Sequence, residues 1–235
     1  MPTDELLLRP VLPDDLPAVA ELHIRVRAAA YPAMPHGIHP DHEARAWVAG
    51  WDLSKFDVWV AELEGEVVGY ARSDREWLND LYVEPDVQGS GVGSALLDVV
   101  KAQRPGGFCL WVFESNEPAR GFYRRHGLVD LERTDGAANE EKAPDIRMAW
   151  PGEEPLAFYR GLIDDVDVQV GDLLNRRAAL TRAVQQLKGT TERDPARERE
   201  IAHALAVRAP LLGEERAARI VHAIITESLG AARAD

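Results

Sequence analysis

The spacing of apolar positions changes once along the chain, near Pro155. Before it, short strand-like apolar runs alternate with amphipathic stretches; after it, only the helical period survives. Leu6 to Leu12 reads as a short strand, and Asp14 or Asp15 stands where it can cap a helix with Leu16, Val19, Ala20, Leu22 and Val26 on one face. The prolines of Tyr31 to His42 make that stretch a loop, and a short helix follows from about Asp41 to Trp51. Val58 to Leu63 and Glu66 to Arg72, joined by Glu64-Gly65, predict a β-hairpin. Leu78 to Val83 is a further strand ending at Pro85, and the helix Ser94 to Ala102 buries Ala95, Leu96, Val99 and Val100. Phe108 to Phe113 is a strand, and Glu117 to His126 is a helix stopped by Gly127. Strands Leu128 to Glu132 and Ile146 to Trp150 flank the polar loop Thr134 to Asp145.

Beyond the linker Pro151-Gly152-Glu153-Glu154-Pro155, Leu156, Ile163, Val166, Val170, Leu173, Leu174, Leu180, Val184 and Leu187 recur at helical steps. One helix over 156–188 would be about 50 Å long. After the loop Gly189-Thr190-Thr191, helices from about Asp194 to Arg208 and from about Leu212 to Ala232 are all that is left to cover it. Three helices leave much of that stripe wet in a single copy, which predicts a paired or swapped homodimer.

Composition narrows the functional classes. The chain of 235 residues is 46 % hydrophobic and 29 % charged, a globular balance. Residues 1–150 carry 15 Lys/Arg against 26 Asp/Glu, and 151–235 carry 12 against 14. So acidic a first part disfavours nucleic acid and anionic membrane and suits a cationic acceptor such as an amine. Met1-Pro2-Thr3-Asp4-Glu5 is acidic rather than basic and no apolar run approaches a membrane span, so a cytoplasmic protein is expected. The lone Cys109 lies in an apolar run and reads as a buried strand residue. His36, His39 and His42 stand at steps of three, but Pro40 breaks any helix that would align them, and no metal is expected.

Between the strand ending at Val83 and the following helix lies Gln88-Gly89-Ser90-Gly91-Val92-Gly93. Glycines at a strand-to-helix turn let backbone N–H groups approach a phosphate at a helix N-terminus, though such turns are also ordinary tight turns. With its neighbours the stretch becomes more specific. Leu81-Tyr82-Val83-x-Pro85 followed by Gln88-x-x-Gly91-x-Gly93 resembles motif A of the GNAT-type N-acetyltransferases. Asn116-Glu117-Pro118-Ala119-x-x-Phe122-Tyr123-x-x-His126-Gly127-Leu128 resembles their motif B, in the right order and at the right distance. The resemblance covers about 1–150 and implies acetyl-CoA as donor, held between the strand ending at Val83 and the strand Phe108 to Phe113. Its contacts would be Leu81, Val83, Asn116 and Gln88, Gly89, Ser90, Gly91, Val92 and Gly93, with the pyrophosphate on the backbone of the last six. It also implies Tyr123 as general acid to the departing thiolate, where the plain alternative is a core aromatic, and a backbone N–H near Val83 that polarises the carbonyl. Some relatives carry Glu where Asn79 stands, so Asp80 beside it is the candidate base, with Glu76 or an ordered water as alternatives and an exposed strand residue as the plain reading.

Arg160, Asp164-Asp165-x-Asp167, Leu173-Leu174-Asn175-Arg176-Arg177, Lys188, Asp194-Pro195-x-Arg197-Glu198 and Ile224-Ile225-x-Glu227-Ser228 together resemble the AroQ-type chorismate mutases over nearly all of 156–232. That likeness implies Arg160 of one subunit with Arg177, Lys188 and Arg197 of the other gripping the carboxylates and ether oxygen of chorismate. Asp194, Glu198 and Ser228 would hold its hydroxyl and the carboxylate surroundings, for a rearrangement to prephenate without a covalent step. The family's Gln or Glu donor to the ether oxygen falls here at Ala232, and the loop from Lys188 to Asp194 is short. The site is then a slow mutase, one for a chorismate relative, or a binding or dimerisation module. The expected architecture is α+β: a GNAT-like mixed, mostly antiparallel sheet with flanking helices over 1–150, a linker 151–155, and an all-α three-helix domain over 156–235. The two resemblances predict a bifunctional enzyme acting on small molecules, with acetyl-CoA as cosubstrate.

Overall fold

The computed structural model describes residues 6–188 and 192–233. The predicted loop Gly189-Thr190-Thr191 and the acidic start Met1 to Glu5 lie outside the described residues. Contacts divide the chain into two units, one up to Tyr159 and one from Arg160 onward.

In the first unit the elements run β1 (Leu7–Pro10), α1 (Leu16–Ala29), α2 (Asp41–Ala49), β2 (Asp57–Leu63), β3 (Glu66–Ser73), β4 (Leu78–Val83), α3 (Val92–Gln103), β5 (Phe108–Phe113), α4 (Glu117–Arg125), β6 (Val129–Arg133) and β7 (Asp145–Trp150). One sheet has the order β1-β2-β3-β4 and the other β5-β7-β6, with every ladder antiparallel. A single parallel bridge, Trp77 to Cys109, joins them, and the Cys109 N–H donates to the Glu76 carbonyl at 2.8 Å. Past that bridge no ladder joins β4 to β5 among the described residues. Cys109 is buried in β5, as its apolar surroundings imply.

Alternation along the strands gives the first sheet two apolar faces. Val58, Val60 and Tyr70 meet Val19, Leu22 and Val26 of α1 and Val48 of α2. Ala61 and Ala71 face the other way, with Val92, Leu96, Leu97 and Val100 of α3 and with Leu110, Val112 and Met148 of the second sheet. Helices therefore cover both faces, and α3 ties the two sheets into one core. At the start of α1 one expectation fails. Asp15 does not cap the helix with its side chain; the carboxylate turns back to accept the Leu12 N–H at 2.7 Å and pairs with the Arg9 guanidinium at 2.6 and 2.9 Å. A charged partner offers a stronger hydrogen bond than a neutral amide.

The chain continues into α5 (Pro155–Lys188), α6 (Pro195–Arg208) and α7 (Gly213–Arg233). The first turn of α5 belongs with the first unit, because the Phe158 ring lies over Gly107, where a Cβ would come within 2.6 Å of it. In the second unit α6 packs on α7 and buries Ala206, Ala217 and Val221, whereas α5 buries no residue along its length. Leu173 is 62 % exposed and Leu187 90 %, so the apolar stripe is wet in a single copy. No helix among the described residues is long and apolar enough to cross a membrane.

Leu96 is fully buried where α3 crosses the backbone of β3 at Gly69. Leu96→Ala should lower the unfolding free energy by about 2–5 kcal/mol in urea denaturation, with the m-value unchanged.

Candidate active sites

The glycine stretch turns β4 into α3. Gly89 and Gly91 take positive φ of 81° and 100°, and Gly91 is the N-cap of α3. Side chains with a Cβ rarely adopt that conformation. The Gln88 and Ser90 N–H groups close the turn onto the Pro85 and Val87 carbonyls, at 3.2 and 3.3 Å. They are therefore not available to a ligand, which corrects the expectation that all six residues offer amides. The N–H groups of Gly89, Gly91, Val92, Gly93 and Ser94 have no partner among the described residues, the usual condition of a helix start. Gln88 contributes through its side chain, whose Nε2 donates to the Val83 carbonyl at 3.0 Å.

The strand register orients the neighbouring backbone. The Glu84 N–H donates to Val68 on β3 at 2.9 Å, and Tyr82 and Asp80 lie opposite Tyr70 and Arg72. Antiparallel pairing alternates, so the N–H and C=O groups of Leu81 and Val83 point away from β3, toward the unpaired side of β4.

Asn116 caps α4, its Oδ1 accepting the Ala119 N–H at 3.2 Å, and Asn116 also lines a cavity of about 1050 Å³. His126 locks α4 in place with ring contacts to the Phe122 carbonyl and to Ser94 Oγ of α3, both at 2.9 Å. Tyr123 is only 8 % exposed, lines the same cavity, and its hydroxyl has no hydrogen-bond partner among the described residues. Burial, reinforced by the nearby Tyr82 and Asp80, pushes that hydroxyl well above the usual tyrosine range. It is a proton donor at any physiological pH.

Asp80 also lines the cavity, and the structure overturns its reading as an exposed strand residue: it is buried. Arg72, directly across the ladder, donates from Nε to Asp80 Oδ2 at 2.5 Å. Burial raises the Asp80 carboxyl, and the Arg72 charge opposes that rise. The guanidinium is itself boxed by Trp47, Trp51 and Phe56, 4.6–5.0 Å from its centre. Glu76, the alternative base, is exposed and does not line the cavity. His23 faces the cavity too, bonded to the Tyr70 hydroxyl at 2.8 Å. Burial, with Arg27 and Arg72 nearby, lowers it to about 4, so it is neutral at pH 7.

The two irregular loops close the cavity. His39 bonds Glu43 at 2.8 Å and Glu140 at 3.0 Å, and Arg27 bonds Glu141 at 2.8 Å. His36 stacks on Tyr31 instead of joining His39. Arg27, Arg72, Trp47 and Glu141 escaped sequence reasoning. Arg72 alone left a signal, a charge inside an apolar hairpin strand, whereas the partners of the others are set by loops.

In the helical unit the expected residues separate into groups. Arg177 Nη1 donates to Ser228 Oγ at 2.7 Å, and Ser228 Oγ donates to the Ile224 carbonyl at 2.6 Å. Glu198 is held elsewhere, gripped at both oxygens by Arg193 at 2.6 and 2.7 Å. Arg193 also reaches Thr226 and His222, at 2.9 and 3.1 Å. His222 and Thr226 stand two residues from Ile224 and Ser228, roughly 200° around α7, so the two groups flank opposite sides of that helix. Asp194 caps α6 by accepting from the Ala196 and Arg197 N–H groups at 3.0 and 3.1 Å, and those bonds hold its carboxyl below the usual range. Arg197 is exposed and pairs with Glu200 at 2.8 Å; Arg160 and Lys188 are exposed. Along α5, Arg160 lies roughly 25 Å from Arg177 and 42 Å from Lys188, at 1.5 Å per residue. One copy does not bring them together.

Residues 54–129 match the acetyltransferase (GNAT) domain, and residues 159–232 match chorismate mutase type II. Over 101 residues the chain is 30 % identical to the peptidyl-lysine N-acetyltransferase YjaB of Escherichia coli, covering 43 % of this chain and 68 % of that protein. The chain belongs to the GNAT acetyltransferases. Behind that domain it carries a chorismate mutase type II domain. An uncharacterized N-acetyltransferase of Methanocaldococcus jannaschii is 27 % identical over 146 residues, 55 % of this chain; the chain spans 63 % of that relative's length. The fold is also that of the PaiA N-acetyltransferase of Thermoplasma acidophilum in complex with coenzyme A, with a TM-score of 0.50 at 18 % identity over 63 % of this chain and 99 % of that one.

Neutral His23 in the GNAT domain makes stability depend on pH. Its pKa is lower folded (about 4) than unfolded (6.5), so the unfolded chain binds the extra proton between those values. Stability is full above about pH 6.5 and falls as pH drops toward 4. Between pH 7 and 4.5, wild type should lose about 2–3 kcal/mol more than His23→Gln, measured by urea denaturation at each pH. Equal losses would remove His23 as the cause.

Proposed function

We propose that the GNAT domain transfers the acetyl group of acetyl-CoA to a small amine. The observation that carries this reading is the set of unpartnered N–H groups of Gly89, Gly91, Val92, Gly93 and Ser94 at the start of α3, just beyond the half-unpaired end of β4, in the same domain as the cavity that Tyr123 lines. Five amides at a helix start suit a pyrophosphate, which brings the charge that the helix dipole and the open donors favour. The N–H of Val83, turned away from β3, is positioned to donate to the thioester oxygen as it becomes negative. Asp80, kept toward its ionised form by Arg72, takes the proton of the attacking amine, directly or through a water. Tyr123, which burial keeps protonated, gives its proton to the departing sulfur. Tyr123→Phe should lower kcat at least tenfold while leaving acetyl-CoA affinity within about threefold, by steady-state kinetics and isothermal titration. An unchanged kcat would return Tyr123 to a packing role.

For the helical domain we propose a chorismate-mutase-type pocket completed by a second copy of the chain. Supporting this are the wet stripe of α5 and the distance that parts Arg160 from Arg177 within one copy. The favoured chemistry is slow conversion of chorismate or a relative to prephenate, by clamping its carboxylates with arginines. Ala232 offers no side-chain donor to the ether oxygen, which costs roughly 10²–10³ in rate. Both substrates are compatible with a cytoplasmic protein. Light scattering should give twice the chain mass, and chorismate absorbance should decay slowly with wild type and at background rate with Arg177→Ala. A homodimer with no turnover at high enzyme would favour a sensor or scaffold instead.

A further inference from the structure

The cavity of the GNAT domain is acidic and aromatic together. Asp41, Glu43, Asp80, Glu140, Glu141 and Asp145 line it, and Arg27 is the single guanidinium or ammonium that does so among the described residues. That guanidinium is already occupied. Arg27 Nη2 donates to Glu141 Oε1 at 2.8 Å, and its Nε is buried without a partner. An arginine fork is the usual holder of a substrate carboxylate, because it offers two parallel charge-assisted bonds. Here Glu141 already holds Arg27 through one amino group, and the remaining acids would repel a second carboxylate. The other lining is apolar: Trp47 and Trp111 present faces that are 43 % and 44 % exposed, with Phe113 beside them. Pockets of that lining bury the apolar body of a ligand and fix it with a few polar groups. The unpartnered Tyr123 hydroxyl, more than nine-tenths buried, opens on the same space.

We infer that the acetyl acceptor is a primary amine with an apolar or aromatic body and no carboxylate, and that the Arg27–Glu141 pair is the element that rejects carboxylated amines. The inference rests on the acetyltransferase reading above. The ammonium is drawn in by the acidic wall and loses its proton to reach the thioester, the aromatic body lies against Trp47 and Trp111, and a carboxylate at the α-carbon finds no free cation. Burying it unpaired costs enough to give at least about 100-fold discrimination. A lysine side chain on a protein meets the same charge but brings no aromatic body to Trp47 and Trp111.

The test measures kcat/KM of the full chain with acetyl-CoA for 2-phenylethylamine, phenylalanine, phenylalaninamide and a lysine peptide, beside the thermal shift caused by acetyl-CoA alone. Phenylethylamine should exceed phenylalanine at least 100-fold, and phenylalaninamide should exceed phenylalanine at least tenfold. Glu141→Gln, which frees Arg27, should narrow the first ratio to tenfold or less. A wild-type ratio below tenfold, or a peptide preferred tenfold over phenylethylamine, overturns the inference. Should Glu141→Gln fail to fold, equal rates for phenylalanine and its amide overturn the role of the pair; with a folded variant, an unchanged ratio does so. Acetyl-CoA stabilisation with no transfer to any of the four sinks the acceptor claim alone. Neither stabilisation nor transfer sinks the acetyltransferase reading with it.

Discussion

The structure of the first unit depends on one interrupted ladder. β4 and β5 run side by side but, among the described residues, are joined only where Cys109 donates to Glu76 just before β4, and from there β4 keeps one side of its backbone unpaired. Unpaired backbone inside a protein is costly, so it persists where something else satisfies it. The carbonyl of Val83 is partly satisfied by the Gln88 side chain. The N–H groups of Leu81 and Val83 are left as donors there, and those of Gly89, Gly91, Val92, Gly93 and Ser94 are open at the start of α3. A continuous sheet would have consumed the donors of Leu81 and Val83.

Around that gap the charges are arranged so that each buried one has a counterpart. Asp80 faces Arg72 across the β3–β4 ladder, and Arg72 in turn lies among Trp47, Trp51 and Phe56. Aromatic faces attract a guanidinium while keeping water from it, so the pair is held in a medium of low dielectric where its attraction is weakly screened. Tyr123 and His23 stay neutral for the converse reason: they are buried without a charge to stabilise their ionised forms. One cavity thus holds a carboxylate balanced by a cation and a phenol that keeps its proton, the two states that opposite halves of a proton transfer require.

The helical unit poses the opposite problem, too much apolar surface for its partners. α6 and α7 bury only a few small side chains between them, and α5 buries none. Its polar groups respond to the same shortage: Arg193 spans Glu198, Thr226 and His222, and Arg177 spans Ser228 and Ile224, side-chain bonds doing what a core would do elsewhere. An anion pocket made of such arginines would bind by exchanging internal partners for ligand oxygens.

Much of this was legible in the chain. Among the described residues, periodicity located the strands and α-helices to within two or three residues, because alternation and the helical step follow directly from which side of each element is buried. Local chemistry also sufficed for the glycine turn, where Gly89 and Gly91 meet a backbone conformation that other residues rarely adopt. What the sequence could not determine were pairings across distance. Whether Asp15 would serve its helix or Arg9, that Asp80 would be buried against Arg72, that Arg27 would spend its charge on Glu141, and that Gln88 and Ser90 would use their amides internally were decided by the fold. The physical reason is that each of these groups could be satisfied in more than one way, and only the folded backbone set which partner came within hydrogen-bonding reach.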